Sequence, residues 1–330
     1  MKLAEIDRFV VLHRKLGWPW VAFDARATRI AFASADDTIA TRVVDGAGAA
    51  AGPSFTLPKN LQLAESEDAG LRGFAIASTG LAAIGKDTVV TIRNDGAVST
   101  SKLSALVVPD FVARAVAFDR SGERIWLSVE SNAESALLVI DATTHDVIGT
   151  LRSKPFPPPS NHELFVHAAD DAVLLLCACG QDGTFARVAG WTDGPVVSID
   201  NALRDGGISA GFVGFSGDGA HVHLAEADEL RTHAWPSLHE LSSVPLADDF
   251  ISSFAGVVLG ERIFVDGEDA ETQLDAVMQF DRSAIRGALL APPFPPGMWA
   301  GRFGADAIVT VDSKGDPAEA RIVRIPMPHS

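Results

Sequence analysis

Two short pairs of side chains have the spacing of metal ligands. His221 and His223 alternate along one predicted strand, as do Cys177 and Cys179, so each pair points to one face. Two imidazoles or two thiolates on one face can bind zinc, but a site needs further ligands from elsewhere in the chain. The cysteines lie in the apolar segment VLLLCACG, which favours burial as small apolar side chains. We interpret the histidines as ordinary core or turn residues and predict no metal site.

The common catalytic motifs are missing from the sequence. Residues 266–271 are acidic, but they lack the alternating ligands and the central glycine of an EF-hand calcium loop. The chain contains no Gly-x-Ser-x-Gly, His-Glu-x-x-His or phosphate-binding glycine motif, and it contains no tyrosine. The sequence therefore favours a protein without catalytic residues and without a cofactor.

Composition and charge bound the class of protein. The chain has 330 residues, of which 47% are apolar and 21% charged, as is typical of a globular protein with ample core material. No apolar run approaches the ~20 residues of a membrane span, and Glu5 and Asp7 make the N-terminus a poor signal peptide. A net charge of −16 argues against nucleic acid or a membrane as partner and is compatible with a basic protein or peptide. We expect a cytoplasmic protein.

A four-strand unit recurs along the chain. It must position the histidine pair, the cysteine pair and the acidic residues described above. Residues 116–151 show it best, because four short apolar strands are separated there by turn-forming residues. An equivalent apolar residue precedes the first turn of each copy, at Phe23, Ile76, Phe118, Val166, Phe215, Val257 and Phe303. These positions are 42 to 53 residues apart, a period typical of propeller blades. The repeat predicts an all-β fold, a seven-bladed β-propeller of four-stranded antiparallel blades.

The two ends of the repeat predict how the ring closes. The seventh copy stops after its third strand, whereas an additional strand at residues 5–12 precedes the first copy. If that strand completes the last blade, no open edge remains, so we expect deletion of residues 1–14 to unfold or aggregate the protein. Residues 45–54, which are mostly small, are expected to form a loop outside the repeat. We predict a single domain, residues 1–330, with blades at residues 18–57, 72–104, 111–152, 163–199, 211–244, 251–290 and 298–327.

Two segments of the third copy carry a family resemblance. Val116-Ala-Phe-Asp119-Arg-Ser-Gly122 precedes an apolar strand, and Leu138-Val-Ile-Asp141 precedes a threonine-containing turn. In these features the chain resembles the WD40-like and YVTN-type β-propeller superfamily, over all seven copies. The Gly-His and Trp-Asp dipeptides of true WD repeats do not occur, so no binding residue of the family transfers to this chain. The resemblance implies that connections between second and third strands share one face with the connections between blades.

That face is predicted to be acidic. Its two-to-three connections contain sixteen acidic residues and only two basic ones, which accounts for most of the net charge of −16. The acidic candidates for a partner face are Asp36, Asp37, Glu130, Glu226, Asp228, Asp266, Glu268 and Asp269. Such a charge either keeps the protein soluble or attracts a basic partner by electrostatic steering. The turns on the opposite face carry several arginines, including Arg26, Arg29 and Arg120.

Large apolar side chains and prolines cluster in the connections between blades, on the same predicted face. The candidates of this kind are Trp18, Trp20, Phe156, Phe294, Met298 and Trp299. Neighbouring prolines restrict the backbone, and tryptophan and methionine are common anchors at interfaces. The alternative is that these side chains fill the space between blades, and their exposure to solvent distinguishes the two.

The sequence as a whole favours a non-catalytic scaffold that binds a basic protein or peptide through an acidic, aromatic-bearing face. We expect a monomer or a component of a hetero-complex. The alternative is a small-molecule enzyme of the lactonase-like propeller type, with a site at the central channel. Converging histidines and carboxylates at the channel would favour the enzyme, and exposed tryptophans would favour the scaffold.

Overall fold

The computed structural model of the protein describes residues 3–12, 21–46, 48–61, 71–107, 110–158, 160–192, 197–201, 209–281, 287–290, 294, 297–314 and 317–326. Nearly all regular structure in these residues is antiparallel strand. The exceptions are one short helix, α1 (Leu103–Leu106), and the 3-10 turns Lys59–Leu61 and Gly180–Asp182. None of the described helices is long and apolar enough to cross a bilayer. The strands form seven sheets, which we number as blades in chain order.

The first strand, β1 (Ala4–Val11), precedes blade 1 but belongs to the last blade. Blade 1 contains, from its inner to its outer edge, β2 (Val21–Phe23), β3 (Arg29–Ala35), β4 (Thr38–Asp45), β5 (Gly48–Ala51) and β6 (Phe55–Thr56). Blade 2 contains β7 (Gly73–Ile76), β8 (Gly80–Ile84), β9 (Thr88–Arg93) and β10 (Val98–Lys102). Blade 3 contains β11 (Val112–Phe118), β12 (Arg124–Glu130), β13 (Ser135–Asp141) and β14 (Val147–Ser153).

The remaining blades follow the same order from the inner to the outer edge. Blade 4 contains β15 (Asn161–Val166), β16 (Ala172–Ala178), β17 (Thr184–Gly190) and β18 (Val197–Asn201). Blade 5 contains β19 (Gly211–Phe215), β20 (His221–Ala225), β21 (Glu229–Ala234) and β22 (Glu240–Pro245). Blade 6 contains β23 (Phe250–Leu259), β24 (Arg262–Asp269), β25 (Asp275–Asp281) and β26 (Ala288–Leu289). Blade 7 contains β27 (Met298–Phe303), β28 (Ala307–Asp312), β29 (Ala318–Arg324) and the first strand, β1.

Seven apolar clusters fill the seven spaces between neighbouring blades, including the space between blade 7 and blade 1. The middle strands of a blade contribute to two of these clusters at once. In β12, Ile125 and Leu127 pack towards blade 2, whereas Trp126 packs towards blade 4. A strand buried on both faces reads as a continuous apolar run, which is why the second strands show little alternation. The predicted seven-bladed propeller is confirmed.

The ring closes through the pairing of β1 with β29. The two strands are antiparallel, with Ala4 opposite Arg324 and Val11 opposite Ala318. Val11 is fully buried, and Phe9 stacks on Phe32 of blade 1 with ring centroids 4.1 Å apart. The predicted completion of the last blade by an N-terminal strand is therefore confirmed, and β1 also contributes to the apolar cluster between blades 7 and 1.

Blade 1 departs from the expectation that residues 45–54 form a loop. Two short strands from this region, β5 and β6, both pair with the outer edge of β4. β5 pairs with the end of β4, and β6 pairs with its beginning. Between them the Gly52 N–H bonds to the Thr41 carbonyl at 3.0 Å, and the Thr41 hydroxyl bonds to the Pro53 carbonyl at 2.7 Å. Pro53 has no N–H to continue the hydrogen-bond ladder, so the outer strand of blade 1 is interrupted between β5 and β6. The region is therefore an interrupted strand and not the expected loop.

Two adjacent valines test the closure of the ring. Val11→Asp places a carboxylate in the cluster between blades 7 and 1, and we expect it to lower the free energy of unfolding by at least ~3 kcal/mol. Val10 is 51% exposed, so Val10→Asp should change stability by no more than ~0.5 kcal/mol. Urea unfolding of both variants measures the difference. Equal losses in the two variants would contradict closure by β1.

Candidate functional site

All blades share one arrangement of connections. Because neighbouring strands are antiparallel, the connection from the second to the third strand lies at the same end of a blade as the connection to the next blade. We call this end the loop face and the opposite end the turn face. The described side chains among those predicted to bind a partner lie on or near the loop face, but their burial separates them into two groups.

Glu130 joins blade 3 to blade 4. The sequence predicts that Glu130 lies in a loop, but it is the last residue of β12. Its side chain is only 6% exposed. Its Oε2 accepts a hydrogen bond from Ser160 Oγ at 2.5 Å and pairs with Arg114 Nε at 3.3 Å, while Oε1 accepts the Phe156 N–H at 3.3 Å. These contacts fix the segment that leads into blade 4, so the Glu130 carboxylate faces the joint between blades.

Asp266 joins blade 6 to blade 7 in a similar way. It lies within β24, again not in a loop, and it is 5% exposed. Its Oδ2 accepts hydrogen bonds from the Trp299 N–H and the Ser253 hydroxyl, both at 3.1 Å. Burial raises the pKa of Asp266 to about 7, although the hydrogen bonds favour the charged form. Asp266 therefore has little surface to offer a partner.

Glu226 and its neighbours Asp228 and Glu229 surround an arginine. Their carboxylate oxygens lie within 4.8 Å of one another, which is close enough to hold a metal ion. Arg231, which is 3% exposed, approaches Glu226 Oε1 with Nε at 2.8 Å and also pairs with Glu229. Its guanidinium supplies the positive charge that the cluster requires. Glu226 is thus an internal counter-ion of blade 5, and only Asp228 is exposed.

Blade 1 contributes the predicted pair Asp36 and Asp37 to the loop face. Asp36 is exposed, whereas Asp37 is half-buried and accepts the Thr38 hydroxyl with Oδ1 at 2.8 Å. Blade 7 lies between blade 1 and blade 6. Asp36 and Asp37 are therefore separated from the acidic residues of blade 6 on the loop face.

Trp299 is packed inside the protein. It is 1% exposed and lies against Phe264 of blade 6, with ring centroids 5.6 Å apart. Phe294 is half-buried and packs against the same apolar cluster. For these two residues the structure favours the second of the predicted alternatives, in which the side chains fill the space between blades.

Phe156 and Met298 differ in their access to solvent. Phe156 is half-buried, with the Arg187 guanidinium carbon 5.1 Å from the centre of its ring. Met298 is 36% exposed at the start of β27. Trp18 and Trp20 lie outside the described residues. Among the described aromatic and methionine candidates, Met298 is the one that offers an exposed side chain on the loop face.

Blade 6 presents exposed acidic and apolar side chains together. We define the blade-6 patch as Asp248, Asp249, Ile251, Glu268, Glu271, Leu274 and Asp275, all of which are exposed. Ile251 lies opposite Glu268 in the sheet, and Glu268 lies opposite Asp275. Directly opposed residues project from the same side of a sheet, so an apolar side chain stands beside two carboxylates.

The turns of blade 6 bring the remaining members of the blade-6 patch together. The Asp269 N–H bonds to the Leu274 carbonyl at 2.9 Å, and the Ala270 N–H bonds to the Asp249 carbonyl at 2.7 Å. The Asp269 carboxylate accepts the N–H and the hydroxyl of Thr272, both at 2.7 Å, and these hydrogen bonds lower its pKa. Asp269 therefore shapes the turn that presents Leu274.

The carboxylates of the blade-6 patch are not neutralised. Within the described part of the chain, none of the five forms an ion pair. Other acidic residues near the loop face do have basic partners, as Glu134 has in Arg152 and Glu319 has in Arg321. On this face, blade 6 therefore presents more exposed carboxylates without a described ion pair than blade 1 or blade 5, which present Asp36 and Asp228.

Ile251 and Leu274 were not predicted from the sequence. They are 55% and 67% exposed, values that exceed those of most large apolar residues in the chain. The signal that could have identified Leu274 is its isolation within the polar segment AETQLDA. Ile251 is the second residue of the long strand β23 and has no such signal, because its exposure depends on where the sheet ends.

Ser128, His162 and Glu130 are ordered like a catalytic triad. His162 Nδ1 is 2.7 Å from Ser128 Oγ, and His162 Nε2 is 3.7 Å from Glu130 Oε2. Ser128 is fully buried between blades 3 and 4, so a substrate cannot reach its hydroxyl. Burial lowers the pKa of His162 to about 4, which makes it a weak general base at neutral pH. The arrangement links two blades and gives no support to the enzyme alternative.

The cysteine and histidine pairs have local partners. Cys177 and Cys179 are buried with their Sγ atoms 3.6 Å apart, and burial raises the pKa of both thiols. His223 Nδ1 shares a hydrogen bond with Thr232 Oγ1 at 3.0 Å. Across the described ranges, no group of three potential metal ligands contains a histidine or a cysteine.

Comparison with known proteins supports the fold. The sequence matches no protein-family profile and no curated protein. Among solved structures, the chain is similar to the β-propeller domain of Cps50 (Swd1) from Myceliophteria thermophila, with a TM-score of 0.61 and 10% identity over 98% of this chain and 100% of that one. At this identity the likeness concerns the fold alone. Together with the seven blades, it defines the fold of the protein as a seven-bladed β-propeller.

The buried carboxylate of Asp266 predicts a dependence of stability on pH. Its folded-state pKa of about 7 exceeds its ordinary value, so its contribution is present at acidic pH and is lost as the pH rises through 7. Asp266→Asn keeps an acceptor but cannot ionise. Between pH 4 and pH 8, we expect wild type to lose about 2 to 4 kcal/mol of unfolding free energy relative to this variant.

Urea unfolding at several pH values measures this difference. Asp269→Asn is the control, because the lowered pKa of Asp269 confines the change in its contribution to pH values near and below the ordinary carboxylate pKa, so this variant and wild type should run nearly parallel between pH 4 and pH 8. Parallel stability curves for wild type and Asp266→Asn would show that the carboxylate does not ionise differently in the two states.

Proposed function

We propose that the protein is a non-catalytic scaffold that binds a basic segment of another protein on its loop face, with the blade-6 patch at the centre of the surface. The observation that carries this proposal is the combination of five exposed carboxylates without ion pairs and two exposed apolar side chains, Ile251 and Leu274. An acidic surface that served solubility alone would not require large apolar residues among its charges.

The two kinds of side chain would contribute differently to binding. Covering Leu274 and Ile251 removes apolar surface from water, which stabilises a complex by about 1.5 to 3 kcal/mol for each fully buried side chain. The unpaired carboxylates attract a cationic segment and orient it, so their main effect is on specificity and on the association rate. Met298, exposed on the neighbouring blade, extends the apolar part with a flexible side chain.

The backbone beneath the patch is closely fixed, which favours binding because little order must be gained on association. Gly267 in β24 packs so closely against β23 that an added Cβ would lie 2.2 Å from the Ile251 carbonyl oxygen. Asp266, next to it, accepts a hydrogen bond from the Trp299 N–H in the first strand of blade 7, β27. The surface is therefore presented by a stiff sheet rather than by a long loop.

A synthetic peptide of alternating lysine and leucine, labelled for fluorescence anisotropy, tests the proposal. We expect it to bind the full-length protein, and we expect the affinity to fall about tenfold when ionic strength rises from about 50 to about 300 mM. Glu268→Lys combined with Glu271→Lys should weaken binding by at least tenfold. Leu274→Ser should weaken it about fivefold with an unchanged salt dependence, because it removes apolar contact only.

A matched control keeps the change in net charge constant. Glu123→Lys combined with Asp146→Lys alters two exposed carboxylates on the turn face and should leave peptide binding within twofold of wild type. Equal losses in the two double variants would mean that only net charge matters, and binding that does not respond to salt would exclude an electrostatic surface.

A further inference from the structure

A cleft on the turn face brings together arginines from two blades. It has a volume of about 260 Å³ and lies among the first turns of blades 1, 2 and 3, next to the innermost strands. Blade 1 contributes Arg26 and Arg29, blade 3 contributes Arg120, and blade 2 contributes the exposed residue Ser78. In a chain with a net charge of −16, this local concentration of positive charge needs an explanation.

The two acidic residues that line the cleft are engaged elsewhere. Asp24 accepts hydrogen bonds from the N–H groups of Thr28 and Arg29 at 2.6 and 2.8 Å, and from the Thr28 hydroxyl at 2.7 Å. Asp119 is 3% exposed and pairs with Arg124, which does not line the cleft, at 3.0 Å. Both carboxylates therefore hold their own turns, and within the described residues neither forms an ion pair with Arg26, Arg29 or Arg120.

The guanidinium groups of the cleft have N–H groups that are available to a ligand. Arg26 is exposed and Arg29 is half-buried, and neither side chain contacts an acceptor among the described residues. Arg120 uses Nη1 to donate to the Ala169 carbonyl at 2.9 Å, which leaves its other N–H groups available. A guanidinium presents several N–H groups in one plane, and this geometry matches the oxygens of a phosphate.

Each turn that carries these arginines is hydrogen-bonded to a neighbouring blade. The Thr79 hydroxyl of blade 2 donates to the Gly122 carbonyl of blade 3 at 2.8 Å. The Gly304 N–H of blade 7 donates to the Ala27 carbonyl of blade 1 at 2.7 Å, which holds the turn that contains Arg26. The backbone of each turn is thus fixed before any ligand arrives, and such preorganisation favours binding.

We propose that this cleft binds a small molecule through one or two phosphate groups, held by Arg26, Arg29 and Arg120. The volume exceeds the share of a single water, about 30 Å³, several times, but it lies below the range of most drug-sized ligand sites. The ligand is therefore small and anionic. The cleft lies on the face opposite to the blade-6 patch, so this proposal does not depend on the proposed partner surface.

Isothermal titration calorimetry with inorganic pyrophosphate tests the site on the full-length protein. We expect binding with a dissociation constant below about 1 mM at low ionic strength. Arg26→Gln combined with Arg120→Gln should weaken it at least tenfold, and Arg26→Gln alone should weaken it measurably. The single variant removes no described contact, so it is expected to fold like wild type.

Two controls make the result specific. Arg93→Gln removes an exposed arginine of the same face that lies outside the cleft, and it should leave pyrophosphate binding within twofold of wild type. Citrate, an anion without phosphate, should bind at least fivefold more weakly than pyrophosphate. Absence of binding by wild type, an equal loss in Arg93→Gln, or equal affinity for citrate would each overturn the assignment of a phosphate site.

Discussion

Each blade must bury both faces of its middle strands at the same time, and the rest of the structure follows from this requirement. In β12, neighbouring residues such as Leu127 and Trp126 pack into the clusters on opposite sides of the blade. A single sheet of four short strands could not satisfy these side chains, because one face would remain in water. Stability therefore depends on a neighbour on each side of every blade, and only a closed ring supplies this for all seven.

Carboxylates near the loop face take two distinct roles. Glu130 and Asp266 accept N–H groups from the segment that enters the next blade, and so act as joints. Glu268 and Asp275 occupy the same end of a blade, but both are exposed and accept no such N–H group from the described residues. A carboxylate on this face is thus structural where the segment that enters the next blade donates an N–H group to it, and available to a partner where that segment does not.

The fold was predictable because its signal is repeated and local, whereas much of the candidate site was not. Strand-length apolar runs between turn residues identify a blade, and the missing fourth strand of the last copy identifies the closure. The burial of Glu130 and Asp266 depends on N–H groups of Phe156 and Trp299, which arrive from another blade. Residues 48–51 likewise pair only because an unfilled edge of β4 is available to small side chains. The periodicity of the sequence does not indicate such contacts between segments that are distant in the chain.

The pairing of β1 with β29 also has a consequence for how the chain folds. The two strands are separated by six complete blades, so their contact, for example Ala4 with Arg324, is among the most distant in the sequence. Closing so long a loop has an entropic cost that local hairpins do not incur, and contacts of this kind slow folding. We therefore expect the last blade to form late in folding, with β1 unpaired until then. A circular permutation that placed β1 directly after β29 would turn this slow encounter into the formation of an ordinary hairpin.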